Sequence, residues 1–326
     1  MDRRAFIGTL TGGLLAAPLA AEGQQPGKVW RIGAIFDIPA GRPAGQGWFY
    51  DRMRELGWVY GQNFLLERRI YGDQYERIPD MASELIRWGA DVLYVPGAKS
   101  AALVQQVTRT IPIVSVAATD LVAAGLAASL ARPGGNVTGV QTQTTQVGSK
   151  HLSLLKEAIP RLSRVGLVIP RDSPGYLAYV QEAEAGATAL NVQLRIVAIQ
   201  GVEEVEAAFA AFRHERREAI VLARSATITT HIKTIVALAL KHRLPTISDL
   251  PQLVTEGGLM AYGVSWPEMF RSVADIIDKI FRGAKASEIP IRQVTTFQLG
   301  INLKTAKTLG LTIPPSLLQR ADQVIE

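Results

Sequence analysis

Asp91-Val-Leu-Tyr-Val-Pro-Gly-Ala-Lys-Ser100 is the stretch on which the fold turns. Its apolar run reads as a buried strand, Pro96-Gly97 as the strand's end, and the residues from Ala98 onward as a helix. The next strand, Ile111-Pro-Ile-Val-Ser-Val116, runs on to Thr119 and Asp120. Strand, polar turn, helix and strand in that order make a βαβ unit of a parallel sheet. The same order returns in Glu218-Ala-Ile-Val-Leu-Ala-Arg-Ser225, followed by a helix and then by Leu244-Pro-Thr-Ile-Ser248-Asp249. Each unit carries a hydroxyl at a helix start (Ser100, Ser225) and a carboxylate after the following strand (Asp120, Asp249).

Working outward, the strand candidates fall into two sets. The first is Trp30–Phe36, Phe64–Ile70, Asp91–Val95 and Ile111–Val116; the second is Val165–Ile169, Gln193–Ile199, Ala219–Ala223 and Pro245–Ser248. Between them lie amphipathic patterns such as Phe49/Met53/Leu56 and Phe270/Val273/Ile277/Ile280. Asp73 and Glu76 have the spacing of a capping box for the helix carrying Ile78, Met81 and Leu85. With 326 residues, 48% hydrophobic and 20% charged, the chain is long enough for two α/β lobes with parallel sheets.

In open parallel sheets the ligand crevice lies outside the carboxyl ends of the strands, where Ser100, Asp120, Ser225 and Asp249 all fall. Two such lobes facing each other would clamp something between them. Each of the four also suits a helix N-cap, so the functional reading rests on the paired arrangement of the set. Asp37, directly after Trp30–Phe36, joins the ligand-binding candidates. The aromatic residues Phe36, Trp48, Tyr176, Tyr262 and Trp266 lie near crevice or hinge segments where a ring could stack.

Several chemistries are excluded. The excess of 35 Lys and Arg over 29 Asp and Glu gives +6 without a basic block, which speaks against nucleic acid. There is no cysteine, and His151, His214, His231 and His242 lack zinc-site spacing, so no metal or organic cofactor is expected. No phosphate loop, dinucleotide fingerprint or nucleophile elbow occurs, and Ser225, His231 and Asp249 lack the spacing of a triad. His231 reads as a polar helix position and His214 as part of a solvated charged run. Capture of a ligand is favoured over its conversion.

The first 23 residues read as an export signal. Asp2-Arg3-Arg4 is followed by a Gly-rich apolar stretch and the small-residue run Ala16-Ala-Pro-Leu-Ala-Ala21, with cleavage acceptable after Gly23 or Ala21. Residues 5–21 are too short and interrupted for a comfortable membrane span. Arg3-Arg4-Ala-Phe-Ile7 is similar to a twin-arginine signal, though general secretion stays open. Its removal takes two basic and two acidic residues, leaving +6 unchanged. With no lipidatable cysteine, a periplasmic protein without a membrane anchor is expected.

The Arg3-Arg4-Ala-Phe6 start, Gly57-Trp-Val-Tyr-Gly-Gln-Asn63, Thr110-Ile-Pro-Ile-Val114, Arg132-Pro-Gly-Gly-Asn-Val-Thr-Gly139, Gly257-Gly-Leu-Met-Ala-Tyr-Gly263, Ile301-Asn-Leu-Lys-Thr-Ala-Lys307 and Leu309-Gly-Leu-Thr-Ile-Pro-Pro315 carry a resemblance over essentially the whole chain. They resemble the ABC-transporter substrate-binding proteins related to the tryptophan/tyrosine-binding group. The resemblance implies a type I periplasmic-binding-protein architecture with a three-crossing hinge, and an ABC permease in the inner membrane as partner. Mapped here, one lobe takes 29–142 plus 262–290 and the other 143–261 plus 291–326, with crossings near Gln141–Thr145, Tyr262–Ser265 and Pro290–Thr295. It further implies that the turn Gly97-Ala-Lys-Ser100-Ala101 holds a ligand carboxylate on backbone N–H groups and that Asp120 receives an ammonium.

The second lobe departs from the family where Pro170-Arg171-Asp172 and Arg224-Ser225 stand. Inward-pointing Arg171 and Arg224 would favour a second anionic group on the ligand; solvated loop arginines are the plain alternative. The expected function is an exported, monomeric solute receptor for a small-molecule ligand. That ligand is an amino acid, aromatic or branched, or in second place an organic acid. A sensor presenting its closed form to a membrane signalling protein, and a secreted α/β enzyme, are the rival readings.

Overall fold

The computed structural model describes residues 28–36, 46–72, 74–117, 121–142, 147–171 and 176–326. The chain builds β1 (Trp30–Phe36), α1 (Gln46–Glu55), β2 (Phe64–Ile70), α2 (Ile78–Arg87), β3 (Val92–Pro96), α3 (Ala98–Val107), β4 (Ile113–Ala117) and β5 (Val137–Thr142). It continues with α4 (Val147–Ala158), β6 (Arg164–Pro170), α5 (Tyr176–Ala189), β7 (Gln193–Ile199), α6 (Glu203–His214), β8 (Ala219–Leu222), α7 (Ala226–Thr230), α8 (Ile232–Lys241), β9 (Thr246–Ser248), α9 (Gln252–Thr255) and β10 (Met260–Val264). Last come α10 (Trp266–Phe281), β11 (Arg292–Val294), β12 (Phe297–Asn302), α11 (Leu303–Leu309), α12 (Pro315–Leu318) and β13 (Gln323–Ile325).

Among the described residues the strands form a six-stranded sheet, β11-β5-β4-β3-β1-β2, and a seven-stranded sheet, β13-β12-β10-β9-β8-β6-β7. Pairing is parallel except where β12 runs antiparallel to β10. The α/β class with two parallel-dominated sheets therefore matches the sequence reading. The chain passes between the sheets from β5 to α4, from β10 to α10 and from β11 to β12.

The period of two along the strands sets which face each side chain covers. In the first sheet Ile32, Ala34, Val92, Val114 and Val140 pack with Met53 of α1 and with Val273 and Ile277 of α10. The alternate residues Ile35, Leu93, Val95 and Ile113 pack with Ile78, Met81 and Leu85 of α2 and Val104 of α3. The second sheet repeats the scheme, with Phe209, Phe212 and Ile235 against Val168, Ile220 and Leu222. On its other face Leu152, Leu155 and Ala183 lie against Val165, Leu167 and Val221.

Two boundaries differ from the sequence reading. Arg292–Val294 pairs with β5 in the first sheet although residues 291–326 were assigned to the second lobe, so the last passage lies at residues 295–296. Tyr262–Val264 pairs with β12 in the second sheet although 262–290 were assigned to the first, because the passage waits until Ser265 caps α10 through Glu268 N. Of the expected capping box, Asp73 lies outside the described residues and Glu76 sits in a short 3-10 turn, while α2 starts from Arg77 with Pro at its N-terminus and no side-chain cap.

Candidate binding crevice between the two sheets

Strand ends from both sheets converge on one pocket. From the first sheet and its helix come Val116 near the end of β4, Thr142 at the end of β5, and Trp266 and Met269 on the first turn of α10. From the second come Val147, Arg224, Asp249, Gly263 and Val264. Trp266 and Met269 are three residues apart in a helix, so both reach the same side. Gly263 permits the close approach that sets Asp249 in place, since a Cβ there would lie 2.5 Å from the Asp249 carbonyl oxygen.

The charged groups of the pocket face each other. Arg224 Nε lies 3.4 Å from Asp249 Oδ2, with 41% and 26% of the two side chains exposed. Both residues follow strand ends, Arg224 two residues beyond β8 and Asp249 directly after β9, which is where the sequence repeat located them. The site thus offers one charge of each sign beside an apolar wall of Val116, Trp266 and Met269.

The other sequence candidates fall in different places. Gly97 is the N-cap of α3 with φ +81°, its N–H donates to Val116 O at 2.6 Å, and Ala101 N–H closes the first helical bond to Gly97 O at 3.1 Å. That leaves the amides of Ala98, Lys99 and Ser100, which an α-helix does not bond internally. The Ser100 hydroxyl is buried and lies 3.3 Å from Tyr71 OH, so it is not the helix cap. Ser225 does cap α7, accepting from Ile228 N–H at 3.1 Å. Arg171 donates to Glu204 at 2.7 Å instead of to a crevice group. Asp37 and Asp120 lie outside the described residues, as does the side chain of Tyr176.

Tyr262 is half-buried and stacks on Phe297 with centroids 5.4 Å apart and planes 10° apart. Burial pushes its phenol above the ordinary value. Its carbonyl is held by His151 of α4, whose Nε2 lies 2.7 Å away, while Nδ1 lies 2.9 Å from Tyr179 OH. His151 is fully enclosed, and loss of hydration lowers its pKa. Sequence reasoning treated His151 only as one of the scattered histidines; the apolar spacing of Leu152 and Leu155 beside it was the available signal that it faces inward. Thr142, Val147 and Met269 were also not singled out. Among the described residues no cluster of His, Asp and Glu could hold a metal, and no helix is long and apolar enough to cross a membrane.

Two parallel-dominated sheets, three chain passages and a crevice at the carboxyl ends of both sheets define a type I periplasmic-binding fold. The family model described as ABC transporter substrate binding protein matches residues 41–325, and the chain belongs to that family. A tyrosine-binding protein of Clostridioides difficile (strain R20291) is 22% identical over 280 residues, covering 86% of this chain and 80% of the relative. A conserved domain protein from Vibrio cholerae has TM-score 0.80 at 23% identity, covering 91% of this chain and 100% of that one. The ABC domain in complex with L-Trp from Streptococcus pneumonia has TM-score 0.78 at 23% identity, again covering 91% and 100%. These structures are similar in fold.

Proposed function

We propose that the protein is an exported, monomeric solute receptor, not an enzyme, that closes its two lobes on a small organic solute and delivers it to an ABC permease in the inner membrane. The carrying observation is the pocket lined from both sheets, with Arg224 and Asp249 paired on one side and Trp266 and Met269 on the other. A solute touching both sides binds the closed arrangement better than the open one and shifts the population toward it, and the permease reads that difference. An amino acid is the first choice of ligand. Its carboxylate and ammonium complement Arg224 and Asp249, with the first turn of α3 and Asp120 as further polar contacts; a bare organic acid could pair with Arg224 but would bring no cation to Asp249. The relatives with tyrosine and tryptophan in their descriptions support the same choice. The N-terminal 23 residues serve export to the periplasm, with cleavage near Gly23.

A thermal-shift screen of single amino acids and of aromatic and aliphatic acids tests this, because a bound solute raises the melting point by mass action. A shift with amino acids that is absent with their deaminated analogues is the expected result. A shift with organic acids alone would reverse the choice, and no shift with any solute would count against the receptor reading itself.

A further inference from the structure

His151 stands beside elements that flank the passages between the sheets. It lies one turn into α4, the element that follows the first passage. Its Nε2 reaches the carbonyl of Tyr262 in β10, the strand that precedes the second. The Tyr262 ring in turn lies flat on Phe297, the first residue of β12 after the third. Its Nδ1 meets Tyr179 on α5, so α4, α5, β10 and β12 are tied through one imidazole and the ring beside it. A carbonyl can only accept, which fixes the proton on Nε2 and makes Nδ1 the acceptor of the Tyr179 hydroxyl.

We propose that His151 is a positioning residue of the hinge, holding β10 against α4 and α5 in its neutral form and loosening that register when it takes up a second proton. Protonation puts a hydrogen on Nδ1 opposite the Tyr179 hydroxyl, which must turn round to accept it. The resulting imidazolium is enclosed, among the described residues no carboxylate is bonded to it, and an enclosed unpaired charge is costly. The groups around it fix the sign. Lys150 on α4, whose ammonium is 5.9 Å from the Tyr262 ring centre, adds positive charge. Tyr179 on α5 and Tyr262 on β10 are neutral in this range, and Asp249 beyond β9 is the carboxylate whose field favours the proton, less strongly than burial opposes it. Acid therefore acts against the neutral tie, not in its favour.

The test needs no ligand. The chain has no cysteine, so Gln106→Cys on α3 and Lys233→Cys on α8, both exposed, give one spin label on each side of the crevice. Label-to-label distances are measured at about pH 7.5 and about pH 4.5, the second set well below the ordinary imidazole pKa because burial lowers that of His151. The expected result is one narrow distance that broadens in acid. His151→Gln, which keeps a donor for the Tyr262 carbonyl and cannot be protonated, stays narrow at both. His151→Leu, checked for folding by a thermal melt, is broad at both. A narrow His151→Leu distribution, a pH-insensitive native chain or a His151→Gln chain that broadens in acid as the native one does would each overturn the proposal. If His151→Leu does not fold, the comparison of native and His151→Gln chains still decides it. None of these results bears on whether a solute binds, so the receptor reading stands or falls separately.

Discussion

Arg224 and Asp249 are solvent-accessible enough that their mutual attraction contributes little to folding, since a part-exposed pair in high dielectric gains only about 0–1 kcal/mol. Their effect should appear in binding. Asp249→Asn is expected to weaken amino-acid affinity by roughly 2–5 kcal/mol, the cost of leaving a ligand ammonium buried and unpaired, while the melting point moves little. Calorimetric titration beside a thermal melt checks both; an affinity left intact would remove Asp249 from the site. His151 gives the pH dependence. Its folded pKa lies below the ordinary 6.5, so the native state binds fewer protons than the unfolded one there. Its stabilising contribution is full above about pH 6.5 and falls as acid protonates the unfolded chain below that value. His151→Gln should flatten this part of a melting-point profile against pH. Arg224 and Asp249 were legible in the sequence because the repeated βαβ order located the strand ends. Arg171 looked equivalent at that level, since the engagement by Glu204, 33 residues on, is a matter of tertiary structure. His151 was illegible for the same reason, with partners 28 and 111 residues away.

At the scale of elements, Trp30–Phe36, Phe64–Ile70 and Gln193–Ile199 have in the structure the bounds read from the sequence, because each is a β-rich run ended by turn residues. β5, β10 and β12 were not among the strands read. Each contains a glycine, β5 and β12 also contain polar residues, and each lies beside a passage between the sheets, where regular strand-and-helix alternation stops. In β5 the glycine is required. Gly139 has φ +152° and a Cβ there would sit 1.9 Å from Ser115 O of β4. Gly139→Ala is expected to destabilise by at least roughly 1–3 kcal/mol from overpacking alone, read as a lower denaturation midpoint. The packing of α10 against β1, α1 and the residues after α1 is a second sensitive place. Phe281 stacks on Trp30 at 4.6 Å and meets Trp58 edge-on at 5.0 Å, so Phe281→Ala should cost about 3–5 kcal/mol in denaturant unfolding. On the same contact, bonds from Arg271 and Arg52 hold the Glu55 carboxyl at about 2, against an ordinary 4.5. Its contribution is present above about pH 4.5 and is lost as the pH falls toward 2. Glu55→Gln should therefore flatten the acid limb of unfolding.

Among the described residues the chain forms two sheets joined by three passages, with a pocket lined from both. The two-lobed plan was legible because the βα order repeats; the passages came from the family resemblance, and strand pairing moves two of the lobe boundaries by a few residues. That plan makes closure the central claim: binding energy is gained only when a solute bridges the first-sheet side, Trp266 and Met269, and the second-sheet side, Arg224 and Asp249. The most direct measurement is the distance between labels at Gln106→Cys and Lys233→Cys, read at neutral pH with and without a saturating mixture of amino acids. A shortened, sharpened distance on addition, absent with the deaminated acids and lost in Asp249→Asn, is the expected result. An unchanged distance in a chain that calorimetry shows to be saturated would contradict capture between the two sheets.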